Sequence, residues 1–176
     1  MNKVMERGAY GTVVEPMTIQ IQRRLPGPVD RVWSYLTDSE LRRKWLAAGE
    51  MAPVAGATLE LVWRNDELSH GGDRRPEGFA EEQRMDSRVI AIYPPRLLTI
   101  GWGKGDVTFE LQERGDRVLL TLTHRGLDDP RDRTMTASGW HMHLDILVAE
   151  ASGQPPASFW SGWVKLRDDY ARRLSA

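Results

Sequence analysis

From Met17 to Leu25 apolar and polar residues alternate, with Met17, Ile19 and Ile21 set against Thr18, Gln20 and Gln22. That is the period of a half-buried strand. Pro26-Gly27-Pro28 stops it. Val29, Val32, Trp33 and Leu36 then fall at i, i+3, i+4 and i+7, one face of a helix whose first turn accommodates Pro28. Thr37 with Glu40 three positions on is a capping-box pattern. It predicts a second short helix carrying Leu41, Trp45 and Leu46.

The middle of the chain reads as strands. Leu59, Leu61 and Trp63 share one face of a strand over 57–63, and 70–76 (HGGDRRP) is a polar loop. Residues 79–93 predict a long bent strand that Pro94-Pro95 ends. Strands follow over 97–102, from Val107 to Leu111, and from Val118 to His124, separated by the short turns Gly103–Asp106 and Arg114–Asp116. Short turns between consecutive strands mean an antiparallel meander. Residues 125–136, rich in Asp, Arg and Pro, read as a loop. A helix is expected from near Ser138, with Trp140, Leu144, Leu147, Val148 and Ala151 forming its apolar stripe. After Ser152–Pro156, Phe159, Trp163, Leu166, Tyr170 and Leu174 mark a last helix.

This order predicts an α+β fold. A curved antiparallel sheet carries two short helices after its first strand, one long helix across it and an extra C-terminal helix. The expected division is a loosely ordered arm over 1–16, one domain over 17–151 and a helical extension over 152–176. A helix laid across a strongly curved sheet leaves a cavity, and that is the step from pattern to pocket.

Composition then limits what the pocket can do. The 24 basic and 25 acidic side chains nearly cancel, which argues against a nucleic-acid or acidic-membrane partner. The absence of cysteine excludes disulfides, thiolate metal sites and cysteine nucleophiles; it fits a cytoplasmic setting. Met1 to Gly11 does not read as a signal peptide, and no apolar run is long enough to cross a bilayer. The seven Trp residues are spread over nearly every predicted element. Large aromatics fill cores, and they also line cavities for apolar ligands.

Several segments carry a family resemblance: PVDRVWSYLTDSELRRKWL at 28–46, GATLELVW at 56–63, VIAIYPPRLLTIGW at 89–102, VTFELQE at 107–113, LLTLTHRGL at 119–127 and GWHMHLDIL at 139–147. Their order and spacing resemble the START-like SRPBCC superfamily, and within it the AHSA-type homologues of the heat-shock-chaperone ATPase activator. The resemblance implies a helix-grip fold with a pocket between the sheet and the helix at 139–151. It does not imply one activity, since members include lipid carriers, polyketide cyclases and hormone receptors.

Candidate catalytic groups are few. His124 closes a strand and His141 opens the following helix, so the two could meet at the pocket mouth as acid and base. Each could equally be structural. His141 and His143 point to different helix faces and cannot chelate one metal, His70 reads as a solvated loop residue, and no cluster suits zinc. Glu81 and Glu82 point to opposite faces of a strand. Asp128-Asp129 reads as a solvated turn. Arg64, Arg84 and Glu82 read as solvent-facing ion pairs, although an Arg facing the cavity would suit a ligand carboxylate. Gly71-Gly72 lacks the context of a phosphate loop, and no Ser sits in a nucleophile elbow.

The expectation is therefore a binding protein for a small apolar or aromatic molecule, with no catalytic residue, metal or cofactor assigned. The first helices and their exit contribute Trp33, Trp45 and Met51 to the expected lining. The strands contribute Leu61, Trp63, Phe79, Trp102, Phe109, Leu122 and His124, and the helix Trp140, His141 and Leu144. A protein-interaction role is the alternative, such as chaperone ATPase regulation or self-association through an exposed aromatic patch at Trp160 and Trp163. A cyclase- or hydrolase-type enzyme is a second alternative.

Overall fold

The structure is a computed structural model and describes residues 8–175. Its elements run β1 (Thr12–Glu15), β2 (Thr18–Pro26), α1 (Val29–Thr37), α2 (Ser39–Arg42), β3 (Thr58–Trp63), a 3-10 turn (Asn65–Leu68), β4 (Gln83–Tyr93), β5 (Leu97–Trp102), β6 (Gly105–Arg114), β7 (Arg117–Arg125), α3 (Pro130–Ala151) and α4 (Phe159–Leu174). The seven strands form one antiparallel sheet in the order β1-β2-β7-β6-β5-β4-β3. Consecutive hairpins build β3 to β7. The first hairpin joins the far edge, where β2 pairs with β7.

Strand register explains where the core sits. Ile21, Leu122, Phe109, Leu98 and Ile92 lie side by side across five strands. The next inward-facing row is Ile19, His124, Val107, Ile100 and Val89. Each fully buried aliphatic side chain in these rows contributes about 1.5–3 kcal/mol. His124 is the one polar member of the second row, and it is buried.

Three local predictions need correction. The capping residue of α2 is Asp38, whose carboxylate accepts from Leu41 N–H at 3.0 Å; the Thr37 hydroxyl instead donates back to Trp33 O. Helix α3 starts at Pro130, not near Ser138. Asp129 caps it by accepting from Arg131 N–H at 2.7 Å, and Pro130 occupies the first turn. The Asp-Pro pair read as loop punctuation is a helix start. The predicted strand from Phe79 begins at Gln83, leaving Phe79 in the preceding connection.

Residues 12–15, within the arm expected to be loose, form the edge strand β1 against β2; residues 1–7 of that arm lie outside the described residues. Behind β1, Gly11 N–H donates to the Tyr170 hydroxyl at 2.7 Å, fastening this end to α4.

Helix α3 is buried on two sides. Trp140, Leu144 and Leu147 face the sheet as the stripe predicted. Met142 meets α4, where a Cβ on Gly162 would stand 2.4 Å from its sulfur. The missing side chain at Gly162 is what lets the helices approach this closely. Phe159, Trp160 and Trp163 of α4 join the same apolar core as the sheet.

Candidate functional site

A cleft of about 560 Å³ opens between the β3–β5 end of the sheet and the helix pair. Trp63 and Trp102 enter from the ends of β3 and β5, Gln83 and Met85 from β4. Thr136, Gly139, Trp140 and His143 come from α3, and Phe159, Trp160 and Trp163 from α4. Phe79 closes the remaining side. The rings touch in a chain. Trp63 and Trp102 are 5.3 Å apart, Trp102 and Trp140 4.9 Å, and Phe79 lies 5.2 Å from Trp160 and 5.1 Å from Trp163. These are the tilted and edge-on distances that aromatic pairs favour.

Gly139 matters by what it lacks. A Cβ there would meet nothing within 4 Å. Glycine inside a helix costs up to about 1 kcal/mol relative to alanine. Here it widens the cleft in the middle of a 22-residue helix.

The roof of the cleft is tied down by polar bonds. Asp73 accepts from the Ser158 hydroxyl at 2.6 Å and from Ser161 N–H at 2.8 Å, giving the start of α4 a cap from a distant loop. These bonds hold the Asp73 carboxyl below its usual range against the desolvation that raises it. Trp160 Nε1–H donates to Asp66 at 2.8 Å. His70, expected to be solvated, places Nε2 3.0 Å from Pro156 O and helps to hold the same junction.

Two histidines flank Trp140 in opposite tautomers. Trp140 Nε1–H donates to His124 Nδ1 at 3.0 Å. An indole nitrogen can only donate, so Nδ1 is bare and the proton of neutral His124 sits on Nε2. His143 is reversed, because its Nδ1 lies 2.7 Å from Trp45 O, an acceptor. Its Nδ1 carries the proton and Nε2 is the bare nitrogen. Burial pushes both histidines down to about 4, so both are neutral at pH 7.

The comparisons with known proteins agree with this architecture. The family described as Activator of Hsp90 ATPase homolog 1-like protein matches residues 26–152. The chain belongs to that family. Among solved structures, a Bordetella parapertussis protein studied by solution NMR is 32% identical with TM-score 0.77, over 93% of this chain and 90% of that one. CalU16 from Micromonospora echinospora is 24% identical with TM-score 0.66, over 90% and 89%. An Enterococcus faecalis protein of unknown function is 16% identical with TM-score 0.70, over 94% and 90%. No curated protein matches the chain. The Activator of Hsp90 ATPase homolog 1-like match and the seven-stranded sheet with its long helix bear out the expected helix-grip fold.

Within this family member the expected lining divides. Trp63, Phe79, Trp102 and Trp140 meet in the cleft. Trp45, Met51, Leu61 and Phe109 surround a nearly filled void of about 10 Å³. Trp33 packs against the core from α1, and Leu122 and Leu144 are core residues. Leu36 of α1, Arg42 of α2 and Trp45 just after it fill the first space, whereas the cleft lies between β3–β5 and the helix pair α3–α4.

His124 and His141 do not form a pair. His124 faces the sheet side of α3. His141 faces away, with Nδ1 2.9 Å from the Tyr170 hydroxyl and Nε2 3.3 Å from Asp145, which Arg23 holds at 2.9 Å. Desolvation raises Asp145, but His141 and Arg23 leave it lowered on balance. Burial pushes the Tyr170 phenol up to about 12. The group joins β2, α3 and α4.

Trp160 and Trp163, expected as an exposed patch, are 3% and 4% exposed and roof the cleft. Trp163 belongs to the 0, 4, 7, 11 stripe from Phe159, which was the signal for its burial; Trp160 lies off that stripe. Nothing in the stripe of α3 pointed to Gly139 or His143. Arg64, Glu82 and Arg84 make the exposed ion pairs that were expected, Glu60 adds a further partner for Arg84, and Arg84 also lines the cleft. Among the described residues no cluster could hold a metal ion, and no helix is long and apolar enough to cross a membrane.

Proposed function

We propose that this protein binds a small apolar or aromatic molecule in the aromatic cleft. The observation that carries this reading is the 560 Å³ volume walled by the rings of Trp63, Phe79, Trp102, Trp140, Trp160 and Trp163. Its size and lining suit a drug-sized apolar ligand. Gly139 supports the same reading, since it leaves volume open where a better helix former would fit.

The role is binding, with no reaction assigned. Both histidines near the cleft are neutral, and each has one nitrogen committed to a protein group. The cysteine-free chain supports a cytoplasmic setting.

Tryptophan fluorescence titration with flavan, progesterone and palmitate tests the reading. The expected result is saturable quenching at one site by a ring-bearing ligand. No saturable change with any of the three would overturn it.

A further inference from the structure

The outer edge of β3 is open over the first part of the strand. Val62 exchanges both backbone bonds with Ala48, N–H to O at 3.0 Å each way, so its peptide groups turn away from β4. Bonding direction alternates along an antiparallel strand. Thr58 and Glu60 therefore also point their N–H and C=O groups outward, while Leu59, Leu61 and Trp63 bond to their partners in β4.

A continued ladder from Ala48 would set Glu50 opposite Glu60. The chain leaves the edge instead at Gly49, where φ is 149° and a Cβ would collide with Glu60 O. Glycine is required at this exit. Gly49 N–H donates to Ser39 Oγ at 2.9 Å, which ties the departing chain to α2. Between this segment and β3 lies a groove of about 810 Å³. Among the described residues no hydrogen bond reaches Thr58 N–H, Thr58 C=O or Glu60 N–H. Unpaired groups on a strand edge are a template for another strand.

The groove carries one sign of charge. Glu50, Glu60 and Asp86 line it, and no Lys or Arg does. Glu60 and Asp86 stand directly opposite each other in the β3–β4 register, an arrangement that destabilises a sheet. Arg84 holds Glu60 at 2.6 Å, whereas among the described residues no ion pair reaches Asp86. A cationic partner relieves that repulsion. In a strand added here, the side chains opposite Thr58 and Glu60 would share the face of the two carboxylates, and the alternate ones would turn inward beside Leu59.

We propose that the open part of β3 is a docking edge for an extended basic segment of a protein partner. That segment adds an eighth strand to the sheet and sets alternate Lys or Arg side chains against Glu60 and Asp86. The groove shares no lining residue with the aromatic cleft, so this docking edge stands or falls apart from the binding role proposed above.

Two capped peptides test the edge by ¹H–¹⁵N titration, Val-Lys-Val-Lys-Val and Val-Glu-Val-Glu-Val. The lysine peptide is expected to bind saturably, about tenfold more tightly than the glutamate peptide, and to move the amide resonances of Thr58 and Glu60. Only the lysine N–H groups face β3 in an added strand. N-methylation of both lysines should therefore abolish binding, and N-methylation of the central valine should leave it intact. Thr58→Pro removes an outward N–H at the first residue of the strand, a place where proline breaks no ladder bond, and should also abolish binding. Equal affinity of the two peptides, indifference to lysine methylation, unchanged binding by Thr58→Pro, or no saturable binding of the lysine peptide overturns the docking edge.

Discussion

The indole N–H of Trp140 donates to Nδ1 of His124 across 3.0 Å, between the long helix and the sheet it covers. One buried bond thereby sets the depth of the helix and the tautomer of the histidine. Trp140→Phe removes the donor and keeps most of the ring. The fold should lose about 1–3 kcal/mol, since His124 Nδ1 is left buried and unpaired. Urea unfolding reads the loss, and the long-range ¹H–¹⁵N spectrum should show that His124 no longer holds a single tautomer.

Stability should fall in mild acid. His124 and His143 stand at about 4 in the folded protein against an ordinary 6.5. Because the folded values are depressed, the unfolded chain takes up these protons first as pH drops. The contribution is complete above about pH 6.5 and is lost progressively toward pH 4, by up to about 3 kcal/mol for each group. Urea midpoints at pH 7 and pH 4.5 measure the slope. His143→Asn keeps an N–H for Trp45 O but cannot titrate, so it should remove the share due to His143.

Gly139→Ala should separate stability from binding. Alanine meets open space at this position and favours the helix by up to about 1 kcal/mol. Thermal unfolding should therefore rise by a few degrees. The added methyl group enters the cleft, so ligand affinity should fall, and Gly139→Leu should abolish it. Calorimetric titration of the three proteins checks both trends.

Tyr170→Phe should release the edge of the sheet. The hydroxyl accepts from Gly11 N–H at 2.7 Å and lies 2.9 Å from His141 Nδ1. Its removal leaves both groups without this partner, at a cost of about 1–3 kcal/mol. Hydrogen exchange should quicken first at Gly11 and along β1, ahead of β6 and β7.

Much of the fold was legible because β2, β5, β6 and β7 pair in unbroken register with a two-residue period. The Ile21–Leu122–Phe109 row could be read strand by strand from alternation alone. The start of α3 was missed because Asp129-Pro130 carries the residues of a turn and of a capped helix alike. Only Arg131 N–H meeting the Asp129 carboxylate distinguishes them. The cleft was half legible. Trp63, Phe79, Trp102 and Trp140 were expected there, and all four reach it. Trp45 resembles them in sequence, yet its N–H goes to Tyr35 O beside the nearly filled void. Which tryptophan fills and which lines depends on which elements each one lies between, and a periodic pattern does not encode that. His143 and Gly139 were missed because α3 is covered on two sides, whereas a single apolar stripe describes one.

The seven indole N–H groups offer the most direct test of the cleft itself. Trp63, Trp102, Trp140, Trp160 and Trp163 line it, whereas Trp33 and Trp45 lie elsewhere. In a ¹H–¹⁵N titration with flavan, the account predicts that the five lining resonances shift together with one saturation curve while those of Trp33 and Trp45 stay still. Shifts confined to Trp33 and Trp45, or a saturable ligand that leaves the five unmoved, would contradict it.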